Sequence, residues 1–334
     1  MTIQSLEEYL RLKIDLLRDC NIIRDTRGHS RIPCFVLEKP AKLQPPSADA
    51  VITKAKRSQP PRNATKFFMK IYPTDRVQDL QNIASIYNEA KVPTAQIVQL
   101  GYLSEIDQTY CIYEYIEGKT LRELLKQNSA DCLERIGYRT GTELSKFRKI
   151  TVPENDFLSS FHQKMLQLLH NAHLQKRDYN KTHSVKLPKV DLQRLERSLW
   201  HLKNVIDRTE LNFKHGDINL YNIIFHAQTP YFIDTDGSGI SLRGLDFRGN
   251  CWWGWTGNNT EREQAVYRGI YRGYFADQIP DSFHQELGFA IIYEFLLRLE
   301  RYENIDEQTR YSFLRWHDIL ERTKYFENYQ FDWF

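Results

Sequence analysis

Hydrophobic positions recur along this chain in two rhythms, and the change falls near Gly118. Leu6, Leu10, Ile14 and Leu17 stand three or four residues apart, the stripe of an amphipathic helix over residues 3–19. IPCFVL (32–37) reads as a strand, and the proline-rich PAKLQPPSADA that follows reads as loop. VITKAK (51–56) predicts a strand, SQPPRN a turn, and ATKFFMKIYP (64–73) a strong strand. A helix is expected over 75–90, and QIVQLGYL and TYCIYEYI predict two more strands. The first 117 residues therefore hold several strands and one or two helices.

Beyond Gly118 the period lengthens. TLRELLKQ, ADCLERIGYRTGTELSKFRK, DFLSSFHQKMLQLLHNAH and VDLQRLERSLWHLKNVI all carry helical stripes. Two short strands interrupt them between residues 222 and 234, and helices resume at 260–276, 283–301 and 307–326. QKRDYNKTHSVKLPK (175–189) is a polar, basic, solvated connector. The expected architecture is α+β: two lobes, a small β-rich one over 1–117 and a larger, mainly helical one over 118–334.

Composition narrows the class. Hydrophobic residues make up 41% and aromatics 13% of the 334 residues, enough for two cores. A net charge of +3 gives no nucleic-acid signal. No stretch of 18 uninterrupted apolar residues predicts a membrane span, and MTIQSLEEYL lacks the basic start and apolar run of a signal peptide. Five scattered cysteines without a CxxC pair read as reduced thiols in a cytoplasmic protein. Oligomeric state is not legible.

One segment concentrates polar chemistry in an apolar frame: HGDINLYNIIFHAQTPYFIDTDG, from His215 to Gly237. Strands avoid Asp and Asn, yet Asp217, Asn222, Asp234 and Asp236 cluster here. NIIF and YFID form a hairpin across HAQTP. A register centred on Gln228 sets Asn222 opposite Asp234, with Cβ atoms roughly 4.5–5.5 Å apart. An amide oxygen and a carboxylate at one end of a ribbon suit magnesium, which takes few protein oxygens and keeps water and phosphate ligands. Asp217, five residues before Asn222, can approach the same spot and accept a proton from an attacking hydroxyl.

The order H-x-D-x-x-x-x-N, strand, turn and a second strand ending in Asp is that of kinase machinery. The segment resembles the aminoglycoside phosphotransferase and choline kinase group of kinase-like small-molecule kinases. HGDINLYN resembles that group's HGD-x-x-x-x-N motif, IDTDGSG its I-D-[FW]-[ED]-x-x-G motif, and LDFRGN, with Asp246, the aspartate-containing stretch that follows. HGD and IDT stand where protein kinases carry HRD and DFG, and no APE-like stretch follows. The resemblance implies a two-lobe protein-kinase-like fold, with a nucleotide-binding lobe at 1–117 and a catalytic, acceptor-binding lobe at 118–334. It implies Asp217 as catalytic base and Asn222 and Asp234 as magnesium ligands. Asp236 and Asp246 take supporting or acceptor-side places, and His215 braces the loop.

On the nucleotide side, alternation puts Lys70 on the face of Phe68 and Tyr72. Such a lysine is either solvated at an edge or aimed at a phosphate, and the resemblance selects the phosphate of ATP. It also makes IYEYIEG (112–118) the joining segment, where backbone groups of Glu114, Tyr115 and Ile116 meet adenine. No GxGxxG loop is present; RGHS (27–30) and PPSADA (45–50) are the candidates for the phosphate-covering turn. The acid that should pair with Lys70 is not evident, with Asp79 and Glu89 on offer and the expected place nearer Gln81.

The acceptor belongs among the C-terminal helices. CWWGW (251–255) serves as packing or as an aromatic box for a quaternary amine. Glu303, Asp306, Glu307, Glu327 and Asp332 form a solvated face or bind a polyamine. The expected function is transfer of the ATP γ-phosphate, with magnesium, to a hydroxyl of a small molecule: an aminoglycoside, a choline-like amino alcohol or a sugar. The alternatives are a kinase-fold nucleotide-binding protein without turnover and a protein kinase.

Overall fold

The structure, a computed structural model, describes residues 3–25, 33–39, 66–151, 163–171, 191–206, 211–247, 261–300 and 317–326. VITKAK, SQPPRN, RGHS, PPSADA, QKRDYNKTHSVKLPK, CWWGW and the acids Glu303, Asp306, Glu307, Glu327 and Asp332 lie outside those residues. Chain contacts divide the protein into one unit of Met1–Ala84 with Ala95–Glu117 and a second of Ser85–Thr94 with Gly118–Phe334. The fold is α+β.

Alternation builds the first unit. Helix α1 (Ile3–Lys13) runs into a 3-10 turn at Asp15–Leu17, then β1 (Asn21–Arg24), β2 (Cys34–Glu38), β3 (Lys66–Tyr72), helix α2 (Val77–Ala90), β4 (Ile97–Leu103) and β5 (Gln108–Glu114). The strands form one antiparallel sheet in the order β1-β2-β3-β5-β4. Phe67, Met69 and Ile71 of β3 pack with Phe35, Leu37, Tyr110 and Ile112 against Leu10, Ile14 and Leu17, the stripe expected of the first helix. Each such side chain contributes about 1.5–3 kcal/mol by leaving water. On the other face, Tyr72 packs with Leu80 and Cys111.

Glycines build the second unit's main helix contact. Helix α3 (Leu121–Gln127) starts from a capping box between Thr120 and Glu123. Helix α4 (Ala130–Leu144) lies along α7 (Glu261–Tyr274). Gly137 and Gly141 of α4, and Gly269 and Gly273 of α7, each meet a carbonyl of the partner helix. A Cβ on Gly141 would stand 1.9 Å from the Ile270 oxygen, and one on Gly273 2.0 Å from that of Tyr138. Two G-x-x-x-G ridges thus let the helix backbones approach as no side chain would permit. Between these helices in sequence come α5 (163–171) and α6 (Leu192–Ile206); α8 (Phe283–Glu300) and the helical residues 317–322 follow.

Short strands carry the segment from His215 to Gly237. β6 (Lys119–Thr120), β8 (Ile223–His226) and β9 (Thr229–Phe232) form one small sheet, and β7 (Leu211–Lys214) pairs with β10 (Gly239–Leu242). No helix among the described residues is long and apolar enough to cross a membrane. Among the described residues, Cys20, Cys34, Cys111 and Cys132 are not in disulfides.

Candidate active site

The hairpin register differs from the one expected. Ile223 pairs with Phe232 and His226 with Thr229, so the turn is the two residues Ala227 and Gln228, with φ of 44° and 70°. Asn222 therefore faces Ile233, whose N–H donates to the Asn222 carbonyl at 2.9 Å, and Asp234 comes one residue later. Asp234 is half-buried in the left-handed region, φ 64° and ψ 47°, at the start of a 3-10 turn that holds Asp236. A non-glycine residue held there stores strain that its surroundings must offset.

β7 delivers His215, Gly216 and Asp217. His215 has no exposed surface, and its ring lies against Tyr87 and Phe232. Asp217 donates its backbone N–H to His215 Nδ1 at 3.2 Å, which leaves the ring proton on Nε2 to be donated to the Ile233 carbonyl at 3.0 Å. The imidazole thus ties the loop to the end of the hairpin. Gly216 has φ 93°, and a Cβ there would lie 2.1 Å from the Gly237 oxygen, so both backbone and space demand glycine. Tyr87 and Ser238 add a relay: Ser238 Oγ donates to the His215 carbonyl at 2.9 Å, so the Tyr87 hydroxyl donates to Ser238 at 3.0 Å. Burial pushes the Tyr87 phenol well above its ordinary range; the Ser238 bond opposes this, and the charges of Asp246 and Asp236 add to it.

Asp246 is buried in a 3-10 turn, Arg243–Asp246, and its two oxygens accept the N–H groups of His215 at 3.1 Å and Gly216 at 2.9 Å. That turn is itself fixed. Arg243 donates through Nε to Glu286 Oε2 at 3.0 Å, and Glu286 on α8 is 1% exposed. A buried two-pronged Arg–Glu pair has a defined geometry, because losing either partner strands a charge.

Asp217 itself is exposed, and the amide of Asn222 holds it. Asn222 Nδ2 donates to the Asp217 carbonyl at 3.0 Å and to Asp217 Oδ2 at 2.8 Å. That fixes the amide's orientation and leaves Asn222 Oδ1 as its acceptor or ligand atom. Asn219, which the sequence reading passed over, donates from Nδ2 to Asp217 Oδ2 at 3.1 Å. Its spacing, two residues after Asp217 and followed by two N–H groups that its side chain accepts, is an Asx-turn signal. Among the described residues no three His, Cys, Asp or Glu side chains form a metal cage.

Lys70, Glu114, Tyr115 and Ile116 belong to the first unit. Lys70 is buried to 6% exposure on β3, opposite Cys34 on one side and Cys111 on the other, on the Tyr72 face as alternation requires. Glu114 ends β5 and donates its N–H to the Gln96 carbonyl at 2.9 Å. Asp79 is exposed beside Arg76, 3.7 Å away, and Glu89 is exposed too.

Solved structures share the fold. A thermostable mutant of the aminoglycoside phosphotransferase APH(4)-Ia, in complex with AMP-PNP and hygromycin B, superposes with a TM-score of 0.61 at 11% identity, covering 97% of this chain and 100% of that one. The amicoumacin kinase hAmiN, in complex with AMP-PNP, Ca2+ and Ami, gives 0.58 at 11% identity, covering 96% of each. Choline kinase from Cryptosporidium parvum Iowa II gives 0.57 at 13% identity, covering 97% of this chain and 96% of that one. No curated protein sequence matches the chain. The model of the phosphotransferase enzyme family matches residues 49–281, more than two thirds of the chain and the whole motif-bearing stretch, and the chain belongs to that family.

Proposed function

We propose that the protein is an ATP- and magnesium-dependent kinase that phosphorylates a hydroxyl of a small molecule. The observation that carries this reading is the Asp217–Asn222 pair. An exposed carboxylate is fixed by an amide whose other end is left for a cation, at the start of a hairpin whose second strand is followed two residues later by Asp234. Asp217 takes the acceptor proton as the acceptor oxygen bonds to the γ-phosphorus and the bond to the ADP oxygen breaks. A positioned base of this kind contributes roughly 10²–10⁴-fold. Magnesium would be held by Asn222 Oδ1 and Asp234, where it supplies charge neutralisation for the phosphates.

Lys70 meets the ATP phosphates, and backbone groups between Glu114 and Ile116 meet adenine. The Glu114 N–H is engaged with Gln96 and is not one of them. Asp236, half-buried one turn past Asp234, faces metal or acceptor. AMP-PNP in two of the similar structures supports nucleotide use. The lack of a GxGxxG loop in the sequence favours a second reading, a nucleotide-binding protein without turnover.

ADP release from Mg-ATP separates the two across a panel of choline, ethanolamine, hygromycin B, amicoumacin, homoserine, methylthioribose and simple sugars. An acceptor-dependent rate supports the kinase and names its substrate class. A melting temperature raised by Mg-ATP without ADP from any acceptor, water included, supports the second reading.

A further inference from the structure

Resting on that kinase reading, we infer that Asn219 is a positioning residue for the base: with Asn222 it saturates Asp217 Oδ2 and leaves Oδ1 as the oxygen that takes the acceptor's proton. Two amide donors converge on the one oxygen, from Asn222 at 2.8 Å and from Asn219 at 3.1 Å. A carboxylate oxygen has two lone pairs, and both on Oδ2 are engaged. None of the described hydrogen bonds ends on Oδ1, and the residue is exposed. The carboxylate is thus divided into a held oxygen and a working one.

Asn219 can hold because it is itself held. Its Oδ1 accepts the N–H groups of Tyr221 at 2.8 Å and Asn222 at 3.1 Å. Rotating the amide by half a turn would set its NH2 group against both donors, so Nδ2 must point to Asp217. The side chain therefore does two separable jobs. Its oxygen closes the turn, and its nitrogen aims the base. In the transfer, the acceptor O–H bond breaks and its proton goes to Oδ1. The freed oxygen pair forms the bond to the γ-phosphorus, and the bond between that phosphorus and the bridging oxygen breaks with its electrons leaving on ADP.

Asn219→Asp separates the jobs, since it keeps the turn-closing oxygen and replaces the donor with a negative oxygen facing Asp217. Asn219→Ser keeps an acceptor and supplies no amide. ADP formation would be measured with Mg-ATP and the best acceptor of the panel, or water, beside melting temperature. The expected result is a kcat lower by roughly 10- to 100-fold in Asn219→Asp, the order for a reacting group misplaced by about 1 Å. The KM for Mg-ATP and the melting temperature stay at the wild-type values, and Asn219→Ser falls between. Wild-type kcat in Asn219→Asp overturns the positioning role alone, as does a loss of kcat accompanied by an equal collapse of the fold in both variants. Wild-type protein that makes no more ADP than Asp217→Asn overturns the kinase reading, and the role with it.

Discussion

The Asp246 carboxylate reaches back thirty residues to take the backbone N–H of Gly216 at 2.9 Å, inside the protein and away from solvent. Its other oxygen takes the N–H of His215, so one buried side chain fixes the two residues just before the proposed base.

Asp246→Asn turns one of those acceptors into a donor facing an N–H. Leaving a buried backbone donor unmet costs about 1–3 kcal/mol, more when a charged partner is lost. The expected outcome is a loss of about 3 kcal/mol in urea unfolding, with ADP formation falling because the turn before Asp217 shifts. A variant as stable and as active as the wild type would show that the turn is held by other contacts.

Helix contact through glycine makes a sharper stability prediction. Gly141→Val places carbon within the Ile270 carbonyl, where a Cβ alone would stand at 1.9 Å. Overpacking of this kind costs about 1–3 kcal/mol or more. Gly239→Ala, where nothing lies within 4 Å of the added carbon, is the control and should unfold near the wild-type midpoint.

The same helix pair should respond to acid. Burial raises the Glu134 carboxyl, but hydrogen bonds and charge from Arg268 and Arg272 outweigh it and hold the group below its ordinary 4.5. A carboxylate depressed in the folded state contributes stability above its ordinary value and loses it as pH falls through the folded one. The contribution is about 1 kcal/mol, since Arg272 is partly exposed and screened. Glu134→Gln should therefore melt below the wild type at pH 7. The gap should close as pH drops below about 4.5. A gap independent of pH would assign the loss to packing.

The sequence pattern located the polar cluster better than its geometry. His215, Asp217, Asn222 and Asp246 do come together, because H-x-D-x-x-x-x-N spans a strand end, a turn and a hairpin start. The hairpin register was missed by one residue. Centring it on Gln228 assumed a longer loop, whereas Ala227 and Gln228 both adopt positive φ without the Asn-Gly pair that announces such a turn. β1, β6, β7 and β10 are two to four residues long, too short for periodicity to reveal. The glycine ridges hid for a different reason. Gly137, Gly141, Gly269 and Gly273 read as weak points in helical stripes, and only a partner helix gives them a purpose. Asn219 was legible as a turn former, but the aim of its amide depends on a side-chain orientation that no sequence pattern supplies.

The most direct test compares wild type and Asp217→Asn for Mg-ATP binding and ADP formation in the same preparation. Calorimetric binding of a non-hydrolysable ATP analogue reads the first, and a coupled ADP assay with the acceptor panel the second. The account predicts equal analogue affinity and a turnover at least 100-fold lower in the variant, in line with loss of a positioned base. Equal turnover in the two proteins would contradict it.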